Sequence, residues 1–228
     1  MNKLAVFLEG QTELIFLRRL LEEVAGQHNI GFVEAKYGTD NIIGLIATAP
    51  SGVEQYHALL YDCGNDTQVK SAILDNLPSL REAGYYLILG LVDLYPRSRA
   101  GLDELEAFQF TVPGDQRVEI VVAVMETEAW FIGEHNHFPK WNGKLTLQFI
   151  HGKLGIKLDG IDFEAIPHPS ALLKQIYRLV GAKGYTKKRW LVTDVVYCLD
   201  MNYFYLEMAT KSRSIAKLIG NIDSFIAA

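Results

Sequence analysis

The stretch Leu4-Ala5-Val6-Phe7-Leu8-Glu9-Gly10-Gln11-Thr12-Glu13 decides the fold class. Its apolar first half reads as a short strand buried on both faces, the mark of a parallel sheet. Gly10 permits a sharp turn. Thr12 is placed to cap a helix whose apolar residues, Leu14, Ile15, Leu17, Leu20, Leu21 and Val24, recur at helical spacing until Gly26 stops it. A buried strand feeding directly into an amphipathic helix is the first half of a βαβ unit.

The same grammar recurs downstream. Residues 30–36 read as a second strand, and a short helix over 41–47 fits the weaker pattern that follows. Tyr56 to Tyr61 reads as a third strand, closed by the loop-rich Asp62-Cys63-Gly64-Asn65-Asp66. Val69 to Ala83 is helical, with Pro78 expected to kink or divide it. Tyr85 to Val92 is the most apolar strand. Leu102 to Phe108 follows as a helix, Val118 to Met125 as a strand, and Glu128 to Glu134 as the start of an aromatic helix. This order predicts an α/β core over residues 1–135, a largely parallel sheet flanked by helices.

From 136 to 228 the character changes. His135 to Lys144 reads as a polar, aromatic loop, Ser170 as the cap of a helix reaching Val180, and 191–200, 202–210 and 212–226 as further helices. These additions are expected to pack on the core as one continuous domain.

Composition narrows the class. A hydrophobic share of 49% in 228 residues supplies a substantial core without staples. Two cysteines, Cys63 and Cys198, form neither a disulfide framework nor a C-x-x-C pattern, which predicts reduced thiols and a cytoplasmic location. No run reaches the roughly 18–20 apolar residues of a membrane span. A net charge of −5 argues against coating nucleic acid by charge alone, but leaves room for an enzyme whose metal supplies local positive charge.

Acidic residues follow three of the strands: Glu9 and Glu13 after the first, Asp93 after the fourth, Glu126 and Glu128 after the fifth. Strand ends at the carboxyl edge of an open α/β sheet are where ligands bind. Carboxylates brought together there repel unless a cation or proton joins them, so Mg²⁺ or Mn²⁺ is the expected partner. Each acid also has a plainer reading. Glu13 complements a helix dipole, Asp93 opens a turn before Pro96, and Glu126 with Glu128 either line one side of a continuing strand or sit in the first turn of a helix. Asp62 and Asp66 could add ligands if their strand neighbours that of Asp93; otherwise they belong to a capped turn. Lys183, Lys187, Lys188 and Arg189, interleaved with Tyr185 and Trp190, suit either contact with a flexible phosphate backbone or a solvated turn. Arg97 and Arg99, close after Asp93, suit a substrate phosphate or an exposed loop.

Taken together, Glu9-Gly10-Gln11-Thr12-Glu13, Asp93-Leu94-Tyr95 and Glu126-Thr127-Glu128-Ala129-Trp130 resemble a bacterial family of TOPRIM-like proteins, related to the OLD-type nucleases. Pro169 with Lys174, and Tyr185 with Lys187, match further motifs of that family, so the resemblance spans roughly residues 3 to 190. It implies a TOPRIM-like core, Mg²⁺ held by Glu9, Asp93, Glu126 and Glu128, and hydrolysis of phosphodiesters; the basic, aromatic composition adds Arg97, Lys183, Tyr185, Lys187, Lys188 and Arg189 as the expected contacts to nucleic acid. One departure is clear: Tyr95 stands where the Asp-x-Asp of TOPRIM modules has its second acid. A catalytically silent binding or partner subunit is the alternative expectation.

Overall fold

A computed structural model describes residues 1–36, 54–95, 97, 99–107, 117–181 and 184–228. Its centre is a five-stranded sheet in the order β2-β3-β1-β4-β5, formed by β1 (Asn2–Leu8), β2 (Ile30–Lys36), β3 (Tyr56–Asp62), β4 (Leu87–Asp93) and β5 (Arg117–Ala123). Every neighbouring pair is parallel. The arrangement is a Rossmann-like α/β sheet with a helical C-terminal portion.

Alternation along β1 shows how both faces are buried. Leu4, Val6 and Leu8 point into one core with α1 (Gln11–Ala25), while Ala5 and Phe7 point into the other with α2 (Asp66–Glu82). A side chain at Gly90 of β4 would bring its Cβ within 2.5 Å of Ile120 and 3.0 Å of Val69, so α2 seats on the sheet through a glycine.

The first core runs without a break into the C-terminal helices. These are α4 (Thr127–Gly133), α5 (His137–Trp141), α6 (Leu147–Leu154), α7 (Pro169–Arg178) and α8 (Arg189–Cys198). A helical run follows: α9 (Met201–Tyr203), a π-helical turn (Phe204–Met208) and α10 (Ala209–Lys211). The last helix is α11 (Arg213–Ala227). Phe16 of α1 meets Trp130, Phe131 and Phe204 at ring centroid distances of 6.0, 5.5 and 4.9 Å, so residues on both sides of position 135 share one aromatic cluster. Among the described residues no helix is long and apolar enough to cross a membrane.

Several expectations change. Helix α2 runs through Pro78 undivided: Pro78 and Leu74 both face solvent, so water can satisfy the carbonyl that loses its donor. Gly10, not Thr12, precedes the first turn of α1, and Thr12 is buried. The expected loop after His135 contains α5. Residue His168, at a left-handed φ of 53°, precedes α7 with Pro169 at its first position, which displaces Ser170 from the capping role. Short α3 (Leu102–Glu106) covers the start of the helix expected over 102–108. Positions 41–47 and Phe108 lie outside the described residues.

Candidate functional site

Strand order places the acids. From β1 the chain leaves toward β2 through α1 on one face. From β4 it leaves the other way, toward β5, with α3 in the opposite core. The crevice between the carboxyl ends of β1 and β4 is therefore the topological switch point, the usual ligand position of such sheets. In register Leu8 pairs with Leu91, so Glu9 and Asp93 meet across this crevice: the Asp93 amide donates to Glu9 Oε2 at 2.9 Å.

Glu126 and Glu128 arrive by a different route than a continuing strand. β5 ends at Ala123, Met125 takes a left-handed φ of 71°, and Glu126 precedes the first turn of α4. Such a φ is strained for a side-chain-bearing residue and turns the chain sharply back onto the crevice. Thr127 then donates its amide (3.1 Å) and hydroxyl (3.3 Å) to Asp93 Oδ1, tying the end of β4 to the start of α4. Glu128, fully buried, accepts the Tyr185 hydroxyl on Oε1 at 2.9 Å. Glu126 Oε2 accepts the Ser170 amide at 3.1 Å, so a carboxylate satisfies one of the orphan donors in the first turn of α7.

Glu13, treated in the sequence as a helix-dipole residue, belongs to the same cluster. It is buried, and burial together with the Glu128 charge pushes its carboxyl up to about 7. Burial raises Asp93 well above the usual carboxylate range, with Glu13, Glu9 and Glu128 adding repulsion. Glu128 is raised as well, mainly by burial, with Lys187 opposing the rise. The cation facing this group is Lys187, whose Nζ lies 3.3 Å from Glu128 Oε1 and 3.8 Å from Glu126 Oε1. Burial pulls its ammonium down, and the charges of Glu128, Asp93, Glu13 and Glu126 more than offset that, raising it.

The basic stretch does not form a single nucleic-acid face. Tyr185 is 2% exposed and bonded to Glu128, so no base can stack on it; this corrects its assignment as a nucleic-acid contact. Lys187 turns inward to the carboxylates. Arg189 lies 3.5 Å from Glu34, in a cleft of about 150 Å³ shared with Arg18, Arg19 and Tyr197. Lys188, Trp190 and Arg97 are exposed. Lys183 and the Arg99 side chain lie outside the described residues. Asp62 is excluded from the cluster because β1 separates β3 from β4; it accepts the Gly64 amide at 2.9 Å and faces Lys36 at 3.7 Å. Tyr95, at the position of the missing second acid, stands 40% exposed with its ring edge-on to His168.

The donor set is all carboxylate oxygen, the chemistry of a hard divalent cation. One of its atoms, Glu128 Oε2, is buried with no hydrogen-bond partner, an orphan a cation would satisfy. Among the described residues, however, no three acidic, histidine or cysteine side chains stand close enough together, as they are arranged, to hold a metal ion. Lys187 stands among them instead. The donor type thus fits a divalent cation, while the present arrangement is neutralised by an ammonium.

The class defined so far is a Rossmann-like α/β protein with a buried acidic cluster at its switch point. No protein-family model, no curated protein and no solved structure matches this chain.

Proposed function

We propose that the protein is a divalent-cation-dependent phosphodiester hydrolase, a nuclease of the TOPRIM type acting in DNA or RNA metabolism or in phage defence. One observation carries this reading: Glu13, Asp93 and Glu128, buried at three separate strand ends, lie near enough at the switch point to raise one another, with Glu9 and Glu126 beside them, and Glu128 Oε2 has no hydrogen-bond partner. Buried like-charged groups that raise one another in a crevice mark candidate functional sites.

Asp93, Glu126 and Glu128 would hold Mg²⁺ or Mn²⁺, with Glu9 and Glu13 beside them. The bound cation would lower the pKa of a water and offset charge developing on phosphate oxygens. Thr127, Ser170 and Tyr185 fix the orientation of Asp93, Glu126 and Glu128 respectively. Glu9 would orient an attacking water or complete the ligand set. Exposed Lys188 would contact a nucleic-acid backbone.

The test is cleavage of labelled single- and double-stranded oligonucleotides with Mg²⁺ or Mn²⁺, beside a generic phosphomonoester. Cleavage of oligonucleotides alone, abolished in Asp93→Asn, supports the proposal. Hydrolysis of the monoester alone moves the reading to small phosphate esters. A second reading, a catalytically silent binding or partner subunit, is favoured by the Lys187 ion pairs within the cluster and by Tyr95 in place of an acid. Absence of both cleavage and Mn²⁺ binding at millimolar cation would establish it.

A further inference from the structure

We infer that Lys187 is a tethered counter-ion that controls cation entry: its ammonium holds the place a divalent ion takes, and the ion must expel it to the rim of the crevice. This rests on the metal-site reading above and assigns a regulatory role to a residue which that reading leaves unused.

The geometry has three parts. The first is occupancy. The ammonium contacts Glu128 and Glu126, the two acids delivered by the strained turn after β5. Among the described residues the ammonium answers to Glu128, Asp93, Glu13 and Glu126, and Glu128 Oε2 is still left without a hydrogen-bond partner, so the lysine neutralises this group incompletely. An ion that reaches both Glu128 oxygens and Asp93 would offer more than Lys187 does.

The second part is the tether. Gly184 has a left-handed φ of 77°, and a Cβ there would stand 3.0 Å from the Lys174 side chain and 3.1 Å from that of Arg178, so the chain passes close against α7. Tyr185 is then buried and bonded to Glu128. Two residues on, Lys187 meets the same Glu128 Oε1 that accepts the Tyr185 hydroxyl. Holding the tyrosine holds the root of the lysine at a fixed distance from the acids.

The third part is the way out. The Lys187 side chain is 51% exposed although its head is among buried acids. Its flexible stem can swing to solvent without moving Tyr185, as lysine stems do at apolar rims. Lys188 and Arg189 do not share the role: the first is exposed, and the second pairs with Glu34. Once expelled, the ammonium would stand at the mouth of the crevice, where an anionic phosphate ester approaches.

Mn²⁺ binding to the full chain, followed by the loss of the free-ion paramagnetic resonance signal, tests this without reference to activity. Lys187→Met should bind Mn²⁺ at least about tenfold more tightly than the wild type, because a close like charge is removed. Lys187→Arg, which keeps the charge, should stay near or below the wild type. Equal or weaker binding by Lys187→Met, with the wild type binding, overturns the counter-ion role and leaves the metal reading intact. Failure of every form to bind at millimolar Mn²⁺ overturns both. A second measurement covers a variant that does not fold: acylation of Lys187 in the wild type, read by mass spectrometry, should rise several-fold on adding Mn²⁺ and stay flat in Asp93→Asn. An unchanged or reduced rate in the Mn²⁺-loaded wild type contradicts displacement.

Discussion

The two ends of the sheet treat polar groups in opposite ways. At the amino ends of the strands, Asn2 donates to the Phe225 carbonyl (3.1 Å), Tyr86 to that of Ser224 (3.1 Å) and Tyr56 to that of Ile226 (3.3 Å). The Phe225 and Ile226 carbonyls belong to the last turn of α11, beyond the last intrahelical bond, so Asn2 and Tyr56 satisfy groups the helix leaves open. Arg117 beside them pairs with Glu119 at 2.8 Å and reaches Asn221 at 3.2 Å. At the carboxyl ends, acids are gathered and buried with more negative charge than their neighbours satisfy. One edge is matched for stability. The other carries a mismatch, of the kind that clusters at functional sites.

The largest expected effect lies at the mismatched edge. Glu128→Gln keeps the shape but removes the charge, and should lower any Mn²⁺-supported cleavage by roughly 10²–10³-fold, with metal titration checking the loss directly. The equivalent neutral change at the other edge, Glu119→Gln, should leave cleavage unchanged; an equal loss there would erase the contrast between the edges.

Next is pH. The Glu13 carboxyl is raised from 4.5 to about 7, so the folded state binds its proton more tightly than the unfolded state. The resulting stability is fully present below pH 4.5 and is lost as pH rises through about 7, an effect on the order of 3 kcal/mol. In cation-free buffer, the melting temperature of the wild type relative to Glu13→Gln should therefore fall as pH rises across this window. Mn²⁺ affinity should rise over the same range, because the ion competes with protons for the cluster. A flat difference between the two melting curves would mean that Glu13 is solvated and ionised at both ends of the window.

The smallest effects come from a matched pair of tyrosines. Tyr185→Phe removes a donor from a buried carboxylate and should cost about 1–3 kcal/mol, whereas Tyr86→Phe, at a half-buried carbonyl, should cost about 0.5–1.5 kcal/mol. Chemical denaturation of both variants compares the two edges at a single hydroxyl each.

Much of this division is legible in the amino-acid sequence. Leu4 to Leu8 and Leu87 to Val92 are continuous apolar runs because both faces of a parallel strand are covered, and acids directly after them stand out. Glu9, Asp93, Glu126 and Glu128 were legible on that ground, and the structure brings them together. Glu13 was not, because an acid in the first turn of a helix has an ordinary explanation; only the packing of α4 against α1 places Glu128 beside it. Tyr185 was misassigned because a basic, aromatic stretch reads as surface. Its burial depends on Glu128, 57 residues earlier, which no local pattern encodes. Pro78 reads as a kink or a division in its helix, but the proline ring faces solvent, where water can serve the carbonyl that lost its donor.

The ties between the strand beginnings and α11 also bear on how the chain is made. Asn2 and its partner Phe225 are 223 residues apart. At ribosomal speeds of about 5–20 residues per second, the partner emerges roughly 10–45 s later. Once β3 and β4 have emerged β1 can pair with both, yet the Asn2 side-chain amide still has nothing to hold. Nascent chains arrested before residue 213 should therefore be cut by protease near Asn2 while the middle of the sheet resists, and protection should arrive only with the final helix.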